Sequence, residues 1–158
     1  MIYIHAGDIR SGKTSALQEW VTTWDSVKGV LCPEGKDDLR YLHNIETQEN
    51  HQFQVEEANE STTTVGRFHF LQDAFKLANY ILIKTFEEQE FDFLVLDELG
   101  KLELKNEGLH MAAKYILDNY QSNDDQNILL VVRTSLVKPI IEHYGIRSFQ
   151  IVANETLP

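Results

Sequence analysis

Gly7-Asp8-Ile9-Arg10-Ser11-Gly12-Lys13-Thr14 is a complete G-x-x-x-x-G-K-T phosphate-binding loop, followed directly by Ser15. The residues before it, Ile2-Tyr3-Ile4-His5-Ala6, form an apolar run that reads as a short buried strand. The residues after it, Ser15-Ala16-Leu17-Gln18-Glu19-Trp20, read as the first turns of a helix. In that setting the glycines let the backbone amides curl around an anion. The helix N-terminus adds dipole attraction. Gly7, Asp8, Ile9, Arg10, Ser11, Gly12, Lys13, Thr14 and Ser15 are therefore expected to line a nucleotide phosphate tail. Lys13 is placed to reach the β- and γ-phosphates, and the Thr14 hydroxyl to hold a magnesium ion. Arg10 stands where many such loops carry another glycine; it either clamps the phosphates or points into solvent, and solvent is the favoured expectation.

The apolar run Phe91-Asp92-Phe93-Leu94-Val95-Leu96 ends in Asp97-Glu98, the form of a Walker B strand. If its strand neighbours the first one, Asp97 emerges beside the loop and holds the magnesium opposite Thr14. Glu98 is then the candidate catalytic base, polarising a water for attack on the γ-phosphate, with Lys13 as its catalytic partner. The plainer alternative is an acidic turn after a strand.

The 158 residues suffice for one domain with a sizeable core, and residues 1–158 are expected to form a single domain. With 25 acidic against 14 basic residues the net charge is −11, which opposes a phosphate backbone and argues against general nucleic-acid binding. No apolar run reaches the length of a membrane span. The first strand begins at residue 2, so no leader is expected before the fold. The single cysteine, Cys32, reads as a small buried residue at a strand end, and a cytoplasmic location is expected. The six histidines show no zinc spacing.

Elsewhere the pattern alternates strand and helix. Val27–Cys32 reads as a strand, and Leu39–His43 with Gln52–Glu56 as an antiparallel edge hairpin. Helical spacing runs from Leu71 to Glu88 and again from Leu109 to Tyr120. Ile128–Val132 is a central parallel strand, and a short helix near 137–143 and a strand near 149–152 follow. This predicts a three-layer α/β/α fold around a mostly parallel sheet, with ligands at the strands' carboxyl ends.

Asp97-Glu98-Leu99-Gly100-Lys101-Leu102-Glu103-Leu104 resembles the D-E-[IL]-G-K-[ML]-E-L signature of the small P-loop nucleoside-triphosphatase family first described in thermophiles. Val65-Gly66-Arg67-Phe68, before a helix with Ala74-Phe75, is similar to another stretch of that family, and Gly29-Val30-Leu31-Cys32-Pro33-Glu34 resembles its second strand and turn. The resemblance implies a compact RecA-like domain that hydrolyses nucleoside triphosphates (ATP, GTP or others) to diphosphates with magnesium and accepts several bases. After Pro33 the chain keeps mainly Lys36 and Arg40, fewer cations than the family pattern. Two further readings stay open: a small-molecule kinase, against which stands the lack of a basic lid segment, and a slowly hydrolysing switch that docks a protein partner. Around the site, Lys101 is expected to contact phosphate or orient Glu98, and Glu103 either to do the same or to form a surface ion pair. Arg67 is expected to be a solvated loop residue rather than an arginine finger. Arg133 is a candidate γ-phosphate sensor, against a helix cap by Ser135.

Overall fold

The computed structural model describes residues 1–8, 11–123 and 125–158. Five parallel strands make up most of a seven-stranded sheet: β1 (Ile2–Gly7), β2 (Val27–Leu31), β8 (Phe93–Leu99), β9 (Asn127–Arg133) and β10 (Gln150–Val152). The hairpin β3 (Tyr41–Asn44) and β4 (Asn50–Gln52) adds an antiparallel edge, giving the order β10-β1-β9-β8-β2-β3-β4. The mostly parallel α/β architecture expected from the sequence is present.

Side-chain alternation sorts the sheet residues into two cores. Leu94, Leu96, Ile128 and Leu130 point to the face covered by α2 (Gln72–Glu88), α3 (His110–Asn119) and Ile140 of α4 (Val137–Tyr144). Phe93, Val95, Leu129 and Val131 point to the face covered by Leu17 and Trp20 of α1 (Lys13–Trp20). Both faces of β8 and β9 are therefore buried, which explains why these strands read as continuous apolar runs. Each fully buried leucine or isoleucine contributes about 1.5–3 kcal/mol through removal from water. Gly29 has no substitute within β2: its φ is +114°, and a Cβ there would lie 2.2 Å from the Val95 carbonyl oxygen of the neighbouring strand.

The edge differs from the expectation. The first hairpin strand is close to where it was placed, but its partner is residues 50–52 rather than 52–56. The turn sets that register: the Asn44 Oδ1 accepts from the backbone N–H groups of Glu46 and Thr47, and Gln48 takes a left-handed φ of 62°. Tyr41 is thereby opposite Gln52. Beyond it, Phe53 turns inward against Phe70 and Phe75, with ring centroids 4.7 and 5.0 Å away. The chain then enters a second sheet, β5 (Gln54–Val55), β6 (Thr62–Val65) and β7 (Phe68–Leu71), in the order β5-β7-β6. Among the described residues no helix is long and apolar enough to cross a membrane.

Candidate functional site

Strand order decides the site's layout. The loop strand β1 and the acidic strand β8 are not neighbours, as the placement of Asp97 beside the loop had assumed; β9 lies between them. Gly7 is in register with Arg133, the last residue of β9. The carboxyl end of the inserted strand therefore brings a cation between the phosphate loop and the acidic pair.

On the loop side, Gly7 ends β1, Asp8 and Ser11 are exposed, and α1 begins at Lys13. Glycine is required twice. A Cβ on Gly7 would lie 2.6 Å from Ser11 Oγ and 2.7 Å from Lys13 Cγ, and Gly12 holds φ +80° at the helix start. Lys13 is buried, and its Nζ donates to the carbonyls of Gly7 and Asp8 at 3.0 Å each. Its ammonium is thus tied to the loop that it is expected to serve. Thr14 is half-buried and Ser15 exposed on the first turn of α1. Ile9 and Arg10, also expected in the phosphate cradle, lie outside the described residues.

On the acidic side, Asp97 is buried and its Oδ2 accepts the backbone N–H of Cys32 at 2.8 Å. The Cys32 thiol donates to the Asp97 carbonyl at 3.1 Å, and the Arg40 guanidinium donates to the Cys32 carbonyl at 2.9 Å. Burial pushes the Asp97 carboxyl up to about 6, helped by the neighbouring Glu98 charge; the Cys32 N–H, Arg40 and Lys13 oppose the shift. Burial likewise pushes the Cys32 thiol well above its ordinary value. At Asp97 the β8–β9 register slips, and Leu99 rather than Glu98 is opposite Val132. Such a bulge re-aims side chains at a strand end. Glu98 is freed to meet Arg133, with Oε1 3.4 Å from Nε.

The segment after the acidic pair is organised by Glu103. It is neither a surface ion pair nor a phosphate contact: it is buried, accepting the N–H of Gly100 at 2.7 Å and of Leu109 at 2.9 Å. Burial raises its carboxyl, while these N–H donors pull the other way. Lys101 is exposed. Arg67 is exposed in the β6–β7 turn, its guanidinium 5.1 Å from the Phe68 ring centroid, and the structure does not bring it to this cluster. Ser135 lies inside the helical turn Thr134–Leu136, and the N-cap positions of that turn and of α4 are Arg133 and Leu136.

Sequence reasoning missed three participants. Arg40 and Cys32 reach Asp97 through backbone groups, which no side-chain pattern signals. Asn154 links the far end of the chain to the loop: its Oδ1 is 2.9 Å from His5 Nε2, and its Nδ2 donates to the Ser11 carbonyl at 3.0 Å. The one available hint was His5, a polar residue in the middle of an apolar strand.

The donor set at Thr14 and Asp97 suits magnesium. A hydroxyl and a carboxylate are hard oxygen donors, and Asp97 Oδ1 accepts no hydrogen bond from the described residues. No cluster of three or more metal-ligating side chains occurs among the described residues, so a magnesium shell here would be completed by phosphate oxygens and water.

A glycine loop running from a parallel strand into a helix, with an acidic pair at a strand end beyond one inserted strand, defines a P-loop nucleotide-binding domain. The family model described as NTPase matches residues 2–155, and the chain belongs to that family. The crystal structure of THEP1 from the hyperthermophile Aquifex aeolicus shares the fold, with a TM-score of 0.75 at 18% identity over 97% of this chain and 89% of that one. No curated protein matches the sequence.

Proposed function

We propose that the chain hydrolyses nucleoside 5′-triphosphates to diphosphate and phosphate in a magnesium-dependent reaction with broad base specificity. The observation that carries this reading is the pair Glu98–Arg133, a carboxylate and a cation held 3.4 Å apart at the ends of β8 and β9, with Arg133 in register with the first glycine of the loop.

The loop amides and Lys13 bind the phosphate tail and neutralise its charge. Thr14 and Asp97 are the residues to hold magnesium, which when bound supplies Lewis-acid stabilisation of the phosphate oxygens. Glu98 accepts a proton from water as the water oxygen bonds to the γ-phosphorus. The bond from that phosphorus to the β–γ bridging oxygen breaks, and the nucleoside diphosphate leaves with the electron pair. Arg133 stands where charge spreads over the γ-phosphoryl oxygens, and its pairing with Glu98 keeps the carboxylate oriented until water enters.

Phosphate release from a panel of nucleoside triphosphates with magnesium tests the reading, comparing the natural chain with Lys13→Ala and Glu98→Gln. Lys13→Ala is expected to abolish release. Glu98→Gln is expected to lower kcat about 10²–10³-fold with KM little changed. A natural chain no faster than Lys13→Ala refutes the hydrolase. Release seen only when a hydroxyl-bearing metabolite is added points to a kinase instead.

A further inference from the structure

We infer that Asn154, oriented by the buried His5, is a positioning residue that sets the Ser11–Gly12 peptide plane and so tunes nucleotide affinity. The inference rests on the proposed phosphate-binding role of the loop. The hydrogen-bond pattern determines the chemistry at each atom. A carbonyl only accepts, so the Ser11 oxygen must face the Asn154 NH₂. The Asn154 Oδ1 then faces His5, and an oxygen there requires the proton on His5 Nε2. His5 is thereby fixed as the Nε2–H tautomer.

That tautomer leaves Nδ1 as a bare lone pair. It is buried and has no hydrogen-bond partner among the described residues, although His5 as a whole is 0% exposed. An unsatisfied buried acceptor destabilises the fold, so an apolar residue at position 5 would serve the core better. The imidazole is explained by what its other nitrogen does. In a planar trans peptide the C=O and the following N–H point in opposite directions. Holding the Ser11 carbonyl on Asn154 therefore turns the Gly12 N–H toward the opposite side, away from Asn154. Gly12 has the left-handed φ of +80° and would otherwise be free to rotate that plane.

Asn154 sits on a C-terminal strap that closes over α1. The backbone oxygen of Pro158 accepts from Trp20 Nε1 at 2.6 Å and from Trp24 Nε1 at 3.3 Å, and these are the chain's two tryptophans. Their emission reports whether the strap is docked.

The experiment measures the Kd for magnesium-ATP by calorimetry, KM and kcat for phosphate release, melting temperature and tryptophan emission, in the natural chain, His5→Leu, Asn154→Leu and Trp20→Phe. Asn154→Leu is expected to raise Kd and KM about tenfold, with kcat within about threefold and emission unchanged. His5→Leu is expected to weaken ATP binding several-fold while melting at the same or a higher temperature, because the orphaned nitrogen is gone. A purely structural role cannot separate affinity from stability in that direction. Trp20→Phe removes a strap bond without touching Ser11, so it should lower the melting temperature and leave Kd alone. Unchanged Kd in both His5→Leu and Asn154→Leu overturns the inference, as does an equal loss of affinity in Trp20→Phe with the Trp24 emission unchanged. A natural chain that binds ATP without hydrolysing it overturns the hydrolase reading alone, and the Kd comparison still decides the role of Asn154. One that binds no nucleotide overturns both.

Discussion

The phosphate loop and the acidic end of β8 stand on either side of β9, and they are held by opposite means. The loop holds itself: Lys13 bonds to carbonyls five and six residues back, and Ser11 N–H bonds to the Asp8 carbonyl at 3.2 Å. From outside, Asn154 alone supports its described residues with a side-chain hydrogen bond. The acidic pair, by contrast, is held from other strands. Asp97 is anchored by Cys32, Glu98 by Arg133, and the following segment by the buried Glu103. A loop built to wrap an anion carries its design locally, in glycines and amides. A pair of carboxylates kept one beside the other in a buried setting needs compensating donors from other strands.

The largest expected effect tests whether the two regions work as one site. Arg133→Ala removes the cation between them and leaves Glu98 without its partner. Loss of one charge-stabilising donor is expected to lower kcat about 10²-fold, with the ATP Kd changed far less, measured by steady-state phosphate release beside calorimetric binding. A variant that loses affinity and keeps kcat would assign Arg133 to the loop rather than to the reacting phosphoryl group.

A second test perturbs the acidic end alone. Gly108 has φ +64°, and a Cβ there would lie 2.4 Å from Glu103 Oε1. Gly108→Ala combines left-handed strain with displacement of a buried carboxylate from its N–H donors. The expected cost is about 2–3 kcal/mol of stability, seen as a melting temperature lower by roughly 4–12 °C. Because Glu103 anchors Gly100, two residues past Glu98, kcat should fall while the Kd for ATP holds. An equal loss in Kd would mean that the loop leans on the acidic end after all.

The same contrast explains what the sequence made legible. The loop was readable because its chemistry lies in consecutive residues, and β8 and β9 because continuous apolar runs mark strands buried on both faces. Their order was not readable. Two apolar runs look alike whichever lies next to β1, and the insertion of β9 follows from crossover geometry that single residues do not encode. The edge was missed in a different way. Strands of two to four residues, such as Gln54–Val55 and Thr62–Val65, are too short for a period to emerge, and the run Gln52–Glu56 that alternates well is split between two sheets by the inward turn of Phe53. Glu103 was visible as a signature residue, but its burial depends on N–H groups three positions behind it and six ahead that only the folded turn brings to it.

The smallest effect concerns His5 and the pH dependence of stability. Burial lowers the His5 pKa from its ordinary 6.5, with the nearby Lys13 charge adding to the shift and the Asn154 hydrogen bond opposing it. As pH falls through 6.5, the unfolded chain takes up a proton that the folded chain still refuses. Protons then favour the unfolded state, so the stability contributed by neutral His5 is present above pH 6.5 and declines below it. His110 shifts in the same direction, through burial and the neighbouring His143, and contributes a slope of its own. Asp97 and Glu103, whose carboxyls burial raises, act in the opposite sense as pH falls. His5→Leu should therefore raise the melting temperature at pH 5.5 relative to that at pH 7.5, compared with the natural chain. Parallel melting curves for the natural chain and the variant would mean that His5 takes its proton equally in both states, and that the loop's support at Asn154 rests on an imidazole that water still reaches.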